Sequence, residues 1–453
     1  MIIQGNFNDA ISQVDHYEFE VNGNKSVHFT LLEGEFQHFF VVVKNPCGKV
    51  CAVLSYKTRV KTYCLTNCCS TCSNNMFATE LIDGLWSIDV VRTCPIKNGY
   101  KLSIEFDLGT LIEEGVNPYA IDNAHIYNPR CGWYKGDLHL HSFYTDGRIS
   151  LEEIDEACVS KKMDFIAMTE HSTFTTKYPK CDYPIIPATE ITWDDYGHYN
   201  CFGLKGPIDY SIFIANTKTK NDALNMMFQY LSKQGAVLSI NHPFPYGWLL
   251  KHNYDIQSFS NIEVINAPHL FPKEIDNDKA IRFFDYLWNN NILLFAVGGS
   301  DAHKHNYFST YPVGLPTTKL YCNGLSIDHM LSAIKHGNSY IEYLTEFEIN
   351  MYKKDDSKSI VLPGSYVNGN VTINARCLKK VKWQLIKNGN MLFECEGNSF
   401  RSDVEIKEND YYRLQAFLEN EIVFFANPIH CKERIEESMM FQEILNKFKN
   451  KKR

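Results

Sequence analysis

Between residues 131 and 345 short apolar runs keep ending on histidine, aspartate or glutamate, and this repeated ending limits the fold more than any other feature. Phe165-Ile166-Ala167-Met168 leads to His171, and Pro187-Ala188-Thr189 to Glu190. Val237-Leu238-Ser239-Ile240 leads to His242, and Ala296-Val297-Gly298-Gly299-Ser300 to Asp301 and His303. Runs this short and apolar read as strands buried on both faces. The spacing predicts strands at Asp137–His141, Asp164–Met168, Tyr183–Ala188, Val237–Asn241, Ile262–Asn266 and Leu293–Gly298. Helical periodicity falls near 221–234, 277–290 and 326–337. Ser150 and Glu153 have the spacing of a capping box, ahead of Leu151, Ile154, Ala157 and Cys158 on one helical face. Repeated strand–helix units predict an α/β fold with a parallel sheet or barrel, which presents its ligand-binding groups at the C-terminal strand ends.

On either side the rhythm changes to period two. Tyr17, Phe19, Val21; Val27, Phe29, Leu31; Phe39, Val41, Val43; and Trp86, Ile88, Val90 alternate in the first 130 residues, punctuated by turns such as Asn22-Gly23 and Asp83-Gly84. The pattern returns at Val371, Ile373, Ala375, Cys377 and at Val381, Trp383, Leu385, with Asn388-Gly389 as a hairpin signal. The expected organisation is a β-sandwich-like domain over 1–130, an α/β catalytic unit over 131–345 and a second β-sandwich-like domain over 346–432. An amphipathic helix and basic tail complete it over 433–453.

Composition excludes several classes. A 453-residue chain with 44% hydrophobic and 22% charged residues is ordinary for a globular protein. A net charge of −8 gives no overall basic footprint for nucleic acid or anionic membrane. The first twenty residues show neither the basic nor the apolar stretch of a secretory signal, and no apolar run is long enough to span a bilayer. Fifteen cysteines, an odd number scattered through strands and helices, are expected as reduced thiols in a cytoplasmic protein.

The chemistry begins at Gly136-Asp137-Leu138-His139-Leu140-His141. Histidines at i and i+2 on a strand face the same way, so both imidazoles can reach one ion. Alone that is weak, since sixteen histidines in this length give about half an HxH by chance, and His303-Lys304-His305 is a second. The register that follows adds the weight. Asp146 lies just after the pair in Thr145-Asp146-Gly147; then come His171, Glu190, His198 in Gly197-His198-Tyr199-Asn200, His242, Asp301 and His303. Imidazoles and carboxylates gathered at one end of a sheet need ions between them, or they would repel or stand unsatisfied.

The motif order GDLHLHS and TDG, FIAMTEHS, ATEI, GHYN, NHP and GGSDAH resembles the PHP (polymerase and histidinol phosphatase) superfamily, and within it the CehA/McbA-like metallohydrolases. The motifs cover roughly 134–303; Ala426-Asn427-Pro428-Ile429 is a looser likeness. The resemblance implies a distorted (β/α)7 barrel holding two or three divalent ions, zinc, manganese or iron. It implies His139, His141, Glu190 and Asp301 on one ion, Asp146, His171 and His303 on a second, and Glu190, His198 and His242 on a third. Glu170 departs from the family, which has aspartate there; it is expected to tune His171 without being a ligand. The expected activity is hydrolysis of a small phosphorylated molecule by water activated between the ions, as a bridging hydroxide. Arg148 and His305 are the candidate phosphate contacts, with Lys273 and Arg282 behind them. A carboxylic or carbamate ester hydrolase is the rival enzyme, and a glycan- or protein-binding module with a vestigial barrel the rival of another class. The β domains are expected to shape the mouth of the site or to support a homo-oligomer.

Cys64, Cys68, Cys69 and Cys72 are dense enough to raise a structural zinc site, but no second matched pair follows, and plain thiols are expected. Neither a nucleophile elbow nor a glycine-rich phosphate loop is present.

Overall fold

The computed structural model describes residues 1–6, 13–33, 39–55, 57–92, 99–110, 112, 114–193, 196–246, 253–270, 273–303 and 312–450. His305 therefore lies outside the described residues.

The period-two segments of the first part do form strands: β1 (Ile2–Asn6), β2 (Gln13–Val21), β3 (Val27–Glu33), β4 (Phe39–Lys44), β5 (Val50–Ser55), β6 (Thr62–Leu65), β7 (Gly84–Arg92) and β8 (Gly99–Phe106). They pair into two four-stranded sheets, β1-β8-β3-β6 and β2-β7-β4-β5, with antiparallel partners throughout. Alternation puts Phe19, Phe29, Trp86, Ile88 and Ile104 into a core that excludes water.

The middle of the chain supplies β9 (Asn128–Asp137), α1 (Leu151–Ser160), β10 (Phe165–Met168), β11 (Ile185–Trp193), β12 (Gly197–Phe202), α2 (Tyr210–Ala215), α3 (Lys220–Lys233), β13 (Val237–Ile240), β14 (Asn261–Asn266), α4 (Asn277–Asn289), β15 (Phe295–Gly299), β16 (Thr317–Leu325), α5 (Ile327–His336) and β17 (Ser339–Glu342). The Ser150 capping box forms with both reciprocal bonds. Strands β9 to β15 lie side by side in chain order. The pairing is not uniformly parallel, because β12 runs against both β11 and β13. The spacing predicts no strand at β12 and ends β11 at Ala188. In the structure β11 continues to Trp193, so Glu190 sits within a strand rather than at its end.

Side chains and one bridge bring the two ends of this run together. Leu140 bridges Ala302, and Asp301 N donates to the His139 carbonyl at 2.9 Å. The other edge of β15 takes side chains in place of a strand. Thr318 Oγ1 accepts from Gly298 N at 3.0 Å and donates to Gly298 O at 2.7 Å. Asn427 Oδ1 accepts from Ala296 N at 2.7 Å, while its Nδ2 donates to Ala296 O at 2.9 Å.

The last part forms β18 (Phe347–Lys353), β19 (Asp356–Val361), β20 (Gly369–Lys387), β21 (Asn390–Ile406), β22 (Tyr411–Leu418), β23 (Glu421–Ala426), β24 (Ile429–His430) and α6 (Phe441–Asn450). Asn388 and Gly389 both take positive φ (48° and 76°), the geometry of the tight hairpin expected between β20 and β21. The sheet continues without a break from β9 through β16, β17 and β23 into β22 and β20. Helix α6 turns Phe441 and Phe448 onto Tyr254 and Phe283 of the middle unit, with ring centres 5.1 Å apart in both pairs. No described helix is long and apolar enough to cross a membrane.

His430 lies buried with its ring 5.1 Å from that of Trp288, and burial pushes its imidazole down to about 4 from 6.5. The unfolded chain thus takes up a proton that the folded one refuses between those values. The stability at stake is fully present above pH 6.5 and falls as pH drops toward 4, by about 2 kcal/mol at about pH 5. Denaturant midpoints for wild type and His430→Gln should converge on acidification, and parallel curves would contradict this burial effect.

Candidate metal centre

The nine residues named from the sequence meet at one place. Asp137, wholly buried at the end of β9, fixes the segment that follows: its Oδ1 accepts from His139 N (3.1 Å) and Ser300 N (3.0 Å), its Oδ2 from Gly314 N (2.7 Å). His139 and His141 then project from an extended stretch with their ring centres 5.1 Å apart. His139 Nδ1 faces Glu263 Oε1 at 2.8 Å. With that proton given to Glu263, the Nε2 lone pair is turned into the site.

Glu190 is the hub. Its Oε1 lies 3.2 Å from His139 Nε2 and 3.3 Å from both His198 Nδ1 and His242 Nε2. Its Oε2 lies 2.9 Å from His171 Nδ1 and 3.5 Å from His141 Nε2. Asp301 Oδ1 stands 3.3 and 3.2 Å from His139 and His141 Nε2. Asp146 Oδ1 is 3.1 Å from Nε2 of both His171 and His303.

These contacts are close, yet His139 Nε2, His141 Nε2, Asp146 Oδ1 and Glu190 Oε2 are buried without a hydrogen bond. Donor atoms about 2.0–2.1 Å from a shared ion are separated by about 2.8–3.4 Å along the edges of an octahedron or tetrahedron. The observed spacing matches that edge length, and the orphaned lone pairs are those an ion would take. The residues present therefore fit divalent metal. Mixed imidazole and carboxylate donors suit zinc, manganese or iron and exclude a thiolate site.

Four overlapping donor groups emerge: His141, Asp146, His171 and His303; His139, His141 and Glu190; His139, His242 and Asp301; His171, Glu190 and His198. The grouping differs in detail from the one the resemblance implies. His141 also joins the Asp146 set, its ring 4.2 Å from that of His303, and His242 groups with Asp301.

Burial would raise the carboxyls of Asp146, Glu190 and Asp301, but the surrounding imidazoles outweigh it and hold all three well below the usual range. Burial likewise opposes protonation of His139, yet Asp301, Glu263 and Glu190 hold its imidazolium well above the ordinary value. His303 is held up to about 9 by Asp146 against the same burial. Protons favoured on His139, His171, His242 and His303 thus balance the acidic floor, and a divalent cation must displace them. Adding Mn²⁺ to chelator-stripped protein is expected to raise its thermal midpoint, by an amount equal to about 3 kcal/mol at a hundredfold excess over Kd. The rise should shrink from about pH 8 to about pH 6 as the imidazoles regain their protons. A pH-independent shift would argue against imidazole ligation.

Backbone strain marks the same spot. His242 (φ 22°) and Asp301 (φ 51°) sit in the left-handed region, which costs non-glycine residues on the order of 1–3 kcal/mol.

Glu170, expected to tune His171, makes its hydrogen bonds elsewhere. Its carboxyl accepts from Ser142 N and from the hydroxyls of Ser142 and Thr145, so it braces the turn that carries Asp146. His171 is oriented instead by Thr192 Oγ1, 2.7 Å from its Nδ1. The sequence reading missed Glu263. The signal was there: a lone acid inside the buried run Asn261-Ile262-Glu263-Val264-Ile265 needs a partner.

A cavity of about 570 Å³ opens over the donors. Arg148 lines it, together with Lys57 and Arg59 from the first β region, and Pro245, Leu270 and Ile275 form an apolar wall. Lys273 and Arg282 do not line it; Lys273 pairs with Glu421 at 2.6 Å on the surface. Cys64, Cys68, Cys69 and Cys72 carry free thiols, and burial pushes that of Cys72 up to about 12. Among the described residues no group of three metal donors forms there.

No protein-family model matches the chain. Over 43 residues it is 46% identical to the DNA polymerase/3'-5' exonuclease PolX of Bacillus subtilis (strain 168), a match covering 10% of this chain and 8% of that protein. A solved two-domain protein from Bacteroides vulgatus ATCC 8482, described as containing a predicted PHP-like metal-dependent phosphoesterase, aligns over 71% of this chain and all of its own. The identity is 17% and the TM-score 0.36. An FMN-binding β-glucuronidase from Facaelibacterium prausnitzii L2-6 aligns over 94% of this chain and 92% of its own, at 10% identity and a TM-score of 0.20. Superpositions this loose do not establish a shared fold.

Proposed function

We propose that the chain is a metal-dependent phosphoesterase of the PHP superfamily, in its CehA/McbA-like branch, acting on a small phosphorylated molecule. The observation that carries this reading is the convergence of nine imidazole and carboxylate side chains, with orphaned lone pairs, beneath a cavity rimmed by cations. On this reading strands β9 to β15 are the distorted (β/α)7 barrel, spanning 131–345. Segments 1–130 and 346–432 are its flanking β-sandwich-like domains, and 433–453 is the terminal helix and tail. The protein works in the cytoplasm, with no nucleic acid or membrane as partner.

Two or three ions of zinc, manganese or iron would be held by His139, His141, Glu190 and Asp301, by Asp146, His171 and His303, and by His198 and His242 with Glu190. When bound, such ions act as Lewis acids and make water a nucleophile near neutral pH. The protein's own contribution is preorganisation. Glu263 and Thr192 fix the rings of His139 and His171, Asp137 fixes the strand end, and burial of the floor keeps bulk water from competing. Arg148 at the rim offers planar donors to a phosphate oxygen.

The apolar wall of Pro245, Leu270 and Ile275 favours a second reading, a carboxylic or carbamate ester hydrolase on the same donors. Metal content by mass spectrometry, measured beside turnover of a chromogenic phosphomonoester and an aryl carboxylate ester, separates the readings. Two or three ions per chain with phosphate release lost in His139→Ala supports the first. Turnover of the carboxylate ester alone supports the second. A protein that retains no metal and turns over neither is a binding module.

A further inference from the structure

We propose that Lys57 and Arg59, from the N-terminal β region, anchor the phosphoryl group of the substrate and select a phosphomonoester over a diester. This rests on the phosphoesterase reading.

The turn after β5 is held rigidly. Thr58 is buried, its Oγ1 accepting from Tyr63 Oη at 2.6 Å and Val60 N at 3.0 Å, while its own N donates to Ser55 O at 3.3 Å. With Thr58 fixed inward, Lys57 and Arg59 on either side both reach the cavity. The strand before the turn is bolted to the metal-site loop, since Thr173, two residues past His171, donates to Val53 O at 2.7 Å. Asn74 adds a second fastening, accepting from Thr176 N at 2.7 Å and Lys177 N at 3.0 Å.

Asp146 divides its oxygens between two tasks. Oδ1 faces the imidazoles of His171 and His303, while Oδ2 lies 3.4 Å from Lys57 Nζ. Lys57 Nζ also lies 3.3 Å from His171 Nε2, so an ion taken up by that nitrogen would turn the ammonium outward to the mouth, within reach of Oδ2. Arg59 reaches the Asp146 backbone carbonyl at 3.4 Å. Arg148 follows Asp146 by two residues. Among the described residues neither Arg59 nor Arg148 pairs with a carboxylate. With the acidic floor engaged by ions, Lys57, Arg59 and Arg148 outnumber Glu274, the one described carboxylate lining the cavity outside the donor set, and Lys57 keeps its contact to Asp146 Oδ2. A phosphomonoester carries about two negative charges at neutral pH, close to what such a rim can take up, whereas a diester carries one.

The test uses metal-loaded full chain, with inorganic phosphate as the calorimetric probe and aryl phosphate mono- and diesters as substrates. Lys57→Ala/Arg59→Ala is expected to weaken phosphate binding at least about 30-fold. It should lower kcat/KM for the monoester comparably, mainly through KM, and change the diester less than about threefold, with metal content unchanged. Arg59→Ala alone, at an exposed position, guards against misfolding and should still cost about tenfold, with Arg59→Lys recovering part. Unchanged phosphate affinity, or equal losses on both esters, would overturn the proposal. A wild type that hydrolyses neither ester, but whose phosphate binding the double substitution abolishes, sinks the phosphoesterase reading and leaves the anchor standing.

Discussion

Glu190→Gln is expected to abolish metal retention and lower hydrolysis at least about 10³-fold, because no other side chain touches so many of the donors. Five imidazoles lie within 3.5 Å of its two carboxylate oxygens. An amide of the same shape removes the charge and puts N–H donors where lone pairs are needed, so the ligand field fails without any change in volume. The measurement is metal content beside turnover. Near-wild-type metal with intact activity would show that Glu190 is only a buried counter-charge. The metal-free state should lose less stability than a cavity-forming change would cost, since Asn241 Nδ2, now 2.9 Å from Oε1, can still donate to the amide oxygen.

The second large effect concerns the joint between α4 and the last β region. Arg413 grips Asp285 with two near-parallel bonds, Nε to Oδ1 at 2.8 Å and Nη2 to Oδ2 at 2.6 Å. Its guanidinium also donates to Gln415 at 2.6 Å and lies 4.7 Å over the Phe425 ring. The arginine is 3% exposed, so truncation leaves Asp285 as a poorly solvated charge with Tyr411 as its remaining donor. Arg413→Ala is expected to cost about 3–5 kcal/mol, read as a lower denaturant midpoint. Replacing both partners with apolar residues should recover much of that loss, because the stranded charge is gone. If the double variant were as unstable as the single ones, packing rather than charge would be what the pair supplies.

How legible this was from the sequence depended on whether the cause was local. The helices α3, α4 and α5 fall almost where periodicity put them, since amphipathic spacing and caps such as Ser150 are written in neighbouring residues. The Asn388-Gly389 hairpin is local in the same way. The nine donors were found because ordered motifs carry them, and the structure brings all nine together. What escaped was set by distant partners. Strand β12 runs antiparallel only because β11 extends beyond Glu190 to pair with it, and no periodicity marks that extension. Nothing local singles out Lys57 and Arg59, because the fastenings that aim them lie about a hundred residues away at Thr173 and Lys177.

Asn427 has a bearing on how this protein can be taken apart. Its amide serves Ala296 as a neighbouring strand would, five residues before Asp301, and Thr318 does the same at Gly298. A fragment ending at residue 345 would leave the Ala296 N–H and C=O bare on the strand that delivers Asp301 and His303. Hydrogen bonds thus cross position 345 into the strand that carries the centre. Exchanging the last β region for a foreign module would require a donor that carries its own surrogate for Asn427.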